Sequence, residues 1–153
     1  MAKLGAFFAV LLLGTLGFFL WWNRLPPFHG HGDPVDVALA ALSADQDEVR
    51  VEGTAHYPVR LSRTWPAHHF KPERTLWFFP LFEPKDTQSR SIAVMVASDT
   101  APEALVSYED LVVEGYARPP AARMDNQSQE AFLNLGYTFA PDYVLVETFP
   151  PSP

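Results

Sequence analysis

The chain contains no cysteine. Disulfides, thiolate metal sites and a cysteine-linked lipid anchor are therefore excluded. Basic charge is scarce. Lys3 and Arg24 are the only charged side chains among the first 24 residues, so all 18 acids of the chain face just 9 lysines and arginines over residues 25–153. A region that acidic repels phosphate backbones, and nucleic acid is not expected as a partner. Two motif types are also missing. No G-x-G-x-x-G or phosphate-loop glycine pattern occurs, and Ser62, Ser89, Ser91, Ser98 and Ser107 all lack the G-x-S-x-G setting of an activated nucleophile. The expectation is a protein without catalytic residues and without a cofactor.

Charge is absent altogether from Gly5 to Trp22, an 18-residue apolar run. As a helix it would span roughly 27 Å at 1.5 Å per residue, against a hydrocarbon core of about 30 Å. Residues 1–24 therefore read as a single transmembrane anchor. Phe7, Leu12 and Phe18 would face lipid, and Trp21 and Trp22 would sit at headgroup depth. The competing reading is a cleaved signal peptide with Lys3 as its basic region. The run is long for that, and the nearest small-x-small site is Gly30-His31-Gly32, beyond Pro26 and Pro27. Lys3 and the α-amino group outweigh Arg24, which favours a cytoplasmic N-terminus and a domain in the periplasm or outside the cell.

Residues 25–33 read as a linker, 34–149 as an extracytoplasmic β-rich domain and 150–153 as a tail. With 15 prolines in the chain, 10 of them within 34–149, the domain should consist of short elements. Asp33-Pro34 is the pattern of a helix start, with Val35, Ala38, Leu39 and Leu42 on one face. Alternation predicts a strand over Glu48–Arg60. Denser apolar runs predict strands over Thr75–Phe82 and Ser91–Ala97, and two more are expected at Asp110–Arg118 and Asp142–Thr148. Pro80 places the second of these five at a sheet edge or at a strand end. Thr100-x-x-Glu103 resembles a capping box opening one helical turn through Leu105 and Val106, and Ser128–Leu135 reads as a short helix. Five short strands suggest a small OB-like barrel or a sandwich. An echo supports the barrel: Val51-Glu52-Gly53-x-Ala55-x-x-Pro58 recurs as Val113-Glu114-Gly115-x-Ala117-x-x-Pro120. A mid-strand glycine lets the chain bend where a barrel curves.

Histidine supplies the only candidate ligands. His29 and His31 flank a linker glycine, His68 and His69 adjoin in a loop, and His56 falls on a strand face. No third ligand stands at a diagnostic spacing, so solvated loop histidines are preferred over a metal or haem site. The aromatic cluster offers more. Trp65, Phe70, Trp77, Phe78, Phe79 and Phe82 fall close together, and TLWFFPLF is apolar on both strand faces. Either a second layer of the domain covers the outer face or a partner protein does, with Trp77, Phe79 and Phe82 as the contacts.

The layout is similar to that of the cytochrome c maturation haem chaperone family, in which a short anchor precedes a Val-Arg-Val-Glu-Gly segment (here Val49–Gly53) that opens an OB barrel. That family holds haem on a histidine with a tyrosine four residues later. The corresponding stretch here, Tyr137 to Tyr143, has no histidine, so the resemblance implies the anchor and the barrel rather than haem attachment. Leu13–Phe18 continuing to Asn23-Arg24-Leu25, with Val49–Gly53 and Val112–Pro119, also resembles the Surfeit-locus cytochrome oxidase assembly family, although a second membrane helix is missing. Both resemblances imply work on membrane electron-transfer complexes. The sequence is read as a membrane-anchored accessory subunit or assembly factor with an integral membrane complex as partner. The alternative is an extracytoplasmic haem or metal carrier.

Overall fold

The computed structural model describes residues 33–67, 72–120 and 124–149. The expected anchor, including Phe7, Leu12, Phe18, Trp21 and Trp22, lies outside the described residues. All of the described residues belong to one compact unit, Asp33–Pro153. Among them, no helix is long and apolar enough to cross a membrane.

The described region is mainly β, with seven strands and one α-helix: β1 (Val35–Asp36), β2 (Glu48–His56), β3 (Leu61–Trp65), β4 (Arg74–Phe82), β5 (Ser91–Ser98), β6 (Tyr108–Arg118), α1 (Asn126–Asn134) and β7 (Thr138–Thr148). The sheet runs β1-β2-β6-β7-β5-β4-β3, and β2 also pairs with β4. That last pairing, Thr54 with Phe82 and Ala55 with Leu81, closes β2, β6, β7, β5 and β4 into a five-stranded barrel. β5 and β7 run parallel, and every other pair in the ring is antiparallel. These five strands are the five expected from the sequence, and the closed ring is consistent with an OB-like barrel. β1 and β3 are additions on its outside.

Alternation along the strands builds two cores. Val49, Val51, Ala55, Phe79, Leu81, Val94, Val96, Val113, Ala117, Val144 and Val146 fill the barrel. The opposite faces of β4, β5 and β7 contribute Leu76, Phe78, Phe82, Ile92, Met95 and Leu145 to a second core, which Phe132 of α1 and Val59 complete from outside. Every second position of β4 therefore packs inward and the others pack outward beneath a second layer. A fully buried Phe contributes roughly 1.5–3 kcal/mol of transfer free energy, so this second layer is a substantial part of the fold.

The glycine echo has the expected effect. A Cβ on Gly53 would collide with the carbonyl oxygen of Phe82, and one on Gly115 with that of Glu147. Each glycine lets β2 or β6 pass close against a third strand, which closing so small a barrel requires.

Several expectations need correction. Asp33-Pro34 does not start a helix. Val35–Asp36 pairs in parallel with Val49 and Arg50, and a 3-10 turn follows at Leu39–Ala41. The free edge of β2 offers this segment backbone partners, such as Val37 N–H to the Arg50 carbonyl at 2.9 Å. The strand expected through Arg60 ends at His56. Pro58 forms a 3-10 turn, Tyr57–Val59, and β3 begins anew at Leu61. Thr100 caps no helix, since its N–H donates to Ser98 Oγ at 3.0 Å and Leu105 is 94% exposed. Pro80 does not mark the end of the sheet. On the side of β4 away from β5, β3 pairs only as far as Phe78 and β2 takes over at Leu81, so Pro80 occupies the gap where no neighbour needs its missing N–H. The helix expected at Ser128–Leu135 runs Asn126–Asn134. The last strand begins at Thr138, four residues early, across an irregularity that accommodates Pro141.

Candidate functional site

Three groupings of polar side chains among the described residues bear on function. The first is the turn after β4. Asp86 N–H bonds to the Glu83 carbonyl at 2.9 Å, with Pro84 and Lys85 between them and Lys85 at φ 68°. This is the pattern of a type II turn, in which the third residue is ordinarily glycine. The Lys85 N–H donates to Thr54 Oγ1 at 2.6 Å and to Asp110 Oδ1 at 3.2 Å, and Thr54 also donates to Asp110. Those bonds hold the Asp110 carboxyl below its ordinary range, the Thr54 hydroxyl contributing most. Asp86 accepts from the Ser89 hydroxyl and from the N–H groups of Ser89 and Gln88, which lowers its pKa to about 2.

His56 lies fully buried beside this turn, against the rings of Phe82, Tyr108 and Tyr137. Its Nε2 is 2.8 Å from the Asp86 carbonyl oxygen, and its Nδ1 is 3.3 Å from the Tyr137 hydroxyl. A carbonyl can only accept, so Nε2 carries the proton, and in the neutral ring Nδ1 accepts from Tyr137. Burial pushes the His56 pKa down and the Tyr137 pKa up. Arg90 lies over the Tyr137 ring at 5.0 Å. Both imidazole nitrogens are thus committed, Nε2 to the β4–β5 turn and Nδ1 to Tyr137 just ahead of β7. His56 is a structural histidine here.

The second place is Arg74 at the start of β4. Its guanidinium grips Asp99 with two bonds of 2.9 Å and reaches Glu147 at 2.9 Å. One side chain thereby ties β4 to β7 and to the loop after β5. Tyr57 makes a similar tie from the barrel interior, donating to Glu109 at 2.7 Å. Burial and that carboxylate raise its pKa well above the ordinary value.

The third place is the outer face of β2 and β6, opposite the wall that α1 covers. Val112, 56% exposed, stands between two hollows. One, of about 410 Å³, lies among Val37, Leu39, Pro84, Asp36, Glu52 and Glu83. The other, of about 290 Å³, opens over the barrel rim among Phe79, Pro102, Leu111, Glu103, Glu109 and Glu114. Arg50 is the one basic residue lining either. It bonds Glu114 at 2.7 Å and lies 3.6 Å from Asp36.

Of the three aromatic residues expected to meet a partner, Phe79 is inside the barrel at 5% exposure and Phe82 is in the second core at 6%. The barrel's own interior covers Phe79, and the second layer with α1 covers Phe82. Trp77 is half-buried, between Ser62 of β3 and Ser98 of β5. The candidate ligands His29, His31, His68 and His69 lie outside the described residues. Among the described residues, no group of three His, Asp or Glu side chains is placed to hold a metal ion. Sequence reasoning missed the Arg74–Asp99–Glu147 cluster, because its members are 25 and 73 positions apart with no local pattern joining them. No family model, curated protein or solved structure matches this chain.

Proposed function

We propose that this chain is a non-catalytic accessory subunit or assembly factor of a membrane protein complex, carried on one N-terminal membrane helix, with an OB-type barrel on the extracytoplasmic side. The observation that carries this reading is the use made of the reactive side chains. His56 spends one ring nitrogen on the β4–β5 turn and the other on the Tyr137 hydroxyl, and Arg74 bridges two carboxylates. Tyr57 is bonded to Glu109. Groups held this way lock loops onto a barrel and are poor participants in proton or group transfer, which needs a free, well-placed nitrogen or oxygen. The strand 2–3 face that OB barrels commonly offer to oligonucleotides or oligosaccharides corresponds to β4 and β5. Here it lies under the second layer formed with α1, so the reading assigns the domain's contacts to another surface. The uncharged run Gly5–Trp22 supports the anchor. The two family resemblances support electron-transfer complexes as the place of work.

The reading is tested by removing the gene from the source cells and separating their membrane complexes by native electrophoresis. One complex should vanish, shrink by the mass of a small subunit or fall in amount. An unchanged set of complexes overturns the proposal.

A further inference from the structure

We infer that the outer face of β2 and β6 around Val112 docks a cationic segment of the partner, in which basic side chains flank an apolar one. This rests on the accessory-subunit reading and names the surface and the chemistry it uses. Three observations combine. The first is which wall is open. The outer face of β4, β5 and β7 is buried beneath the domain's own α1, whereas on β2 and β6 the outward residues Glu52, Val112 and Glu114 are exposed. The second is shape. Val112 borders both hollows, one over the outer face with Val37, Leu39 and Pro84 as its apolar floor and one at the adjoining barrel mouth, where the inward-facing Phe79 and Leu111 line it with Pro102. An apolar side chain set beside Val112 would bury surface that the domain itself leaves wet. The third is charge. The hollows are lined by six carboxylates and one guanidinium, and Arg50 is already engaged by Glu114 and Asp36. A basic partner segment would be steered to this face and held at its rim.

Rigidity adds to the case. β2 and β6 pair over nine consecutive positions, from Glu48–Tyr116 to His56–Tyr108, within a closed ring. A face fixed in advance loses little conformational entropy on docking. A second copy of the chain is disfavoured as occupant, because it would bring the same carboxylates to the contact.

The test uses the full chain, isotopically labelled, in mild detergent. The probe is a capped hexapeptide with a Val-Leu centre flanked on each side by one lysine and one arginine. Two controls replace the four basic residues by glutamate or the Val-Leu centre by two serines. The expected result is amide shifts confined to residues 36–39, 50–52, 83, 103 and 109–114, absent with the acidic control and weakened with the serine control. Glu52→Lys combined with Glu103→Lys should weaken binding about tenfold, as two exposed charge reversals would, with the rest of the amide spectrum unchanged. Shifts centred on β3 or α1, equal binding of the acidic peptide, self-association at this face, or no shifts overturn the inference. Co-purification of the native complex separates this from the underlying reading. If the doubly reversed chain recovers the complex in the same ratio as the unaltered chain, the docking face is wrong and the accessory role stands. If the unaltered chain recovers no complex, the accessory role fails, and the docking inference with it.

Discussion

Val51 stands directly opposite Val113 in the antiparallel β2–β6 ladder. The two copies of the Val-Glu-Gly echo therefore pair with each other around that point, which places Gly53 opposite Leu111 and Gly115 opposite Val49. From these symmetric positions each glycine admits a different third strand, β4 at Gly53 and β7 at Gly115. A similarity in sequence thus becomes a local two-fold arrangement that closes the barrel on both flanks of one ladder.

Gly53→Ala and Gly115→Ala should each destabilise the domain by at least about 2 kcal/mol, toward the upper end of the roughly 1–3 kcal/mol range for overpacking, because the added methyl meets backbone rather than a movable side chain. Gly136 has φ 83° with open space around its missing Cβ, so Gly136→Ala should cost only about 1 kcal/mol, through backbone strain. Urea melts of the three variants test the order. Equal stability of Gly115→Ala and the unaltered chain would contradict the closure argument.

Phe132→Ala removes the fully buried ring that α1 sets into the second core. A loss of about 3–5 kcal/mol is expected. The loss should be selective, with hydrogen exchange accelerating first in α1 and on β4 and β5, while the β2–β6 ladder stays protected longer. Uniform acceleration would mean that the outer layer and the barrel form one cooperative unit.

His56 makes stability depend on pH in a defined window. Its pKa is lowered in the folded state, chiefly by burial, so folding favours the neutral ring. The stabilisation is complete above the unfolded value of about 6.5 and declines as pH falls from there toward the folded pKa. The lowered carboxyl pKa values of Asp86, Asp110 and Asp125 act in the same direction but only below about pH 4, where unfolded carboxylates take up protons. His56→Gln retains a donor for the Asp86 carbonyl and cannot titrate. The difference in stability between His56→Gln and the unaltered chain should therefore change between pH 7 and pH 5 and level off above pH 7. A constant difference across that range would contradict the burial argument.

Arg74→Ala takes one charged partner from Glu147, which is only 9% exposed, and both bonds from Asp99. Because Arg74 itself is more than a third exposed, the cost should be about 1–3 kcal/mol rather than the larger figure for a fully buried pair. Arg74→Lys keeps the charge without the two-pronged geometry and should recover about half of it. Thermal melts in low salt and at about 0.5 M salt measure both variants, and the salt sensitivity of the unaltered chain should exceed that of Arg74→Ala.

The strands of the ring were legible because each carries enough β-branched and aromatic residues to show its period without help from neighbours. β1 and β3 were not. Val35-Asp36 is too short to hold any period and is a strand only because the edge of β2 lies beside it. Leu61, Arg63 and Trp65 do alternate with Ser62 and Thr64, but reading one strand through Pro58 to Arg60 hides the turn at Tyr57–Val59 that separates it from another. The Thr100 signal misled because a local hydroxyl, Ser98 Oγ, satisfied the N–H that a helix start would have used. The aromatic run around Trp77, Phe79 and Phe82 was correctly read as apolar on both faces. Sequence could not show that Phe132, fifty positions later, belongs to the layer that covers it. His56 was visible as a residue on a strand face, yet its structural role comes from Asp86 and Tyr137, which only the folded barrel brings together.

The most direct measurement of the account is quantitative mass spectrometry of what co-purifies with the tagged full chain from native membranes in mild detergent. The account predicts a defined set of integral membrane proteins in constant ratio to the chain, near one to one for a stable subunit and a constant fraction below it for an assembly factor. Recovery of the chain alone, over several mild detergents and with its barrel folded, would contradict it.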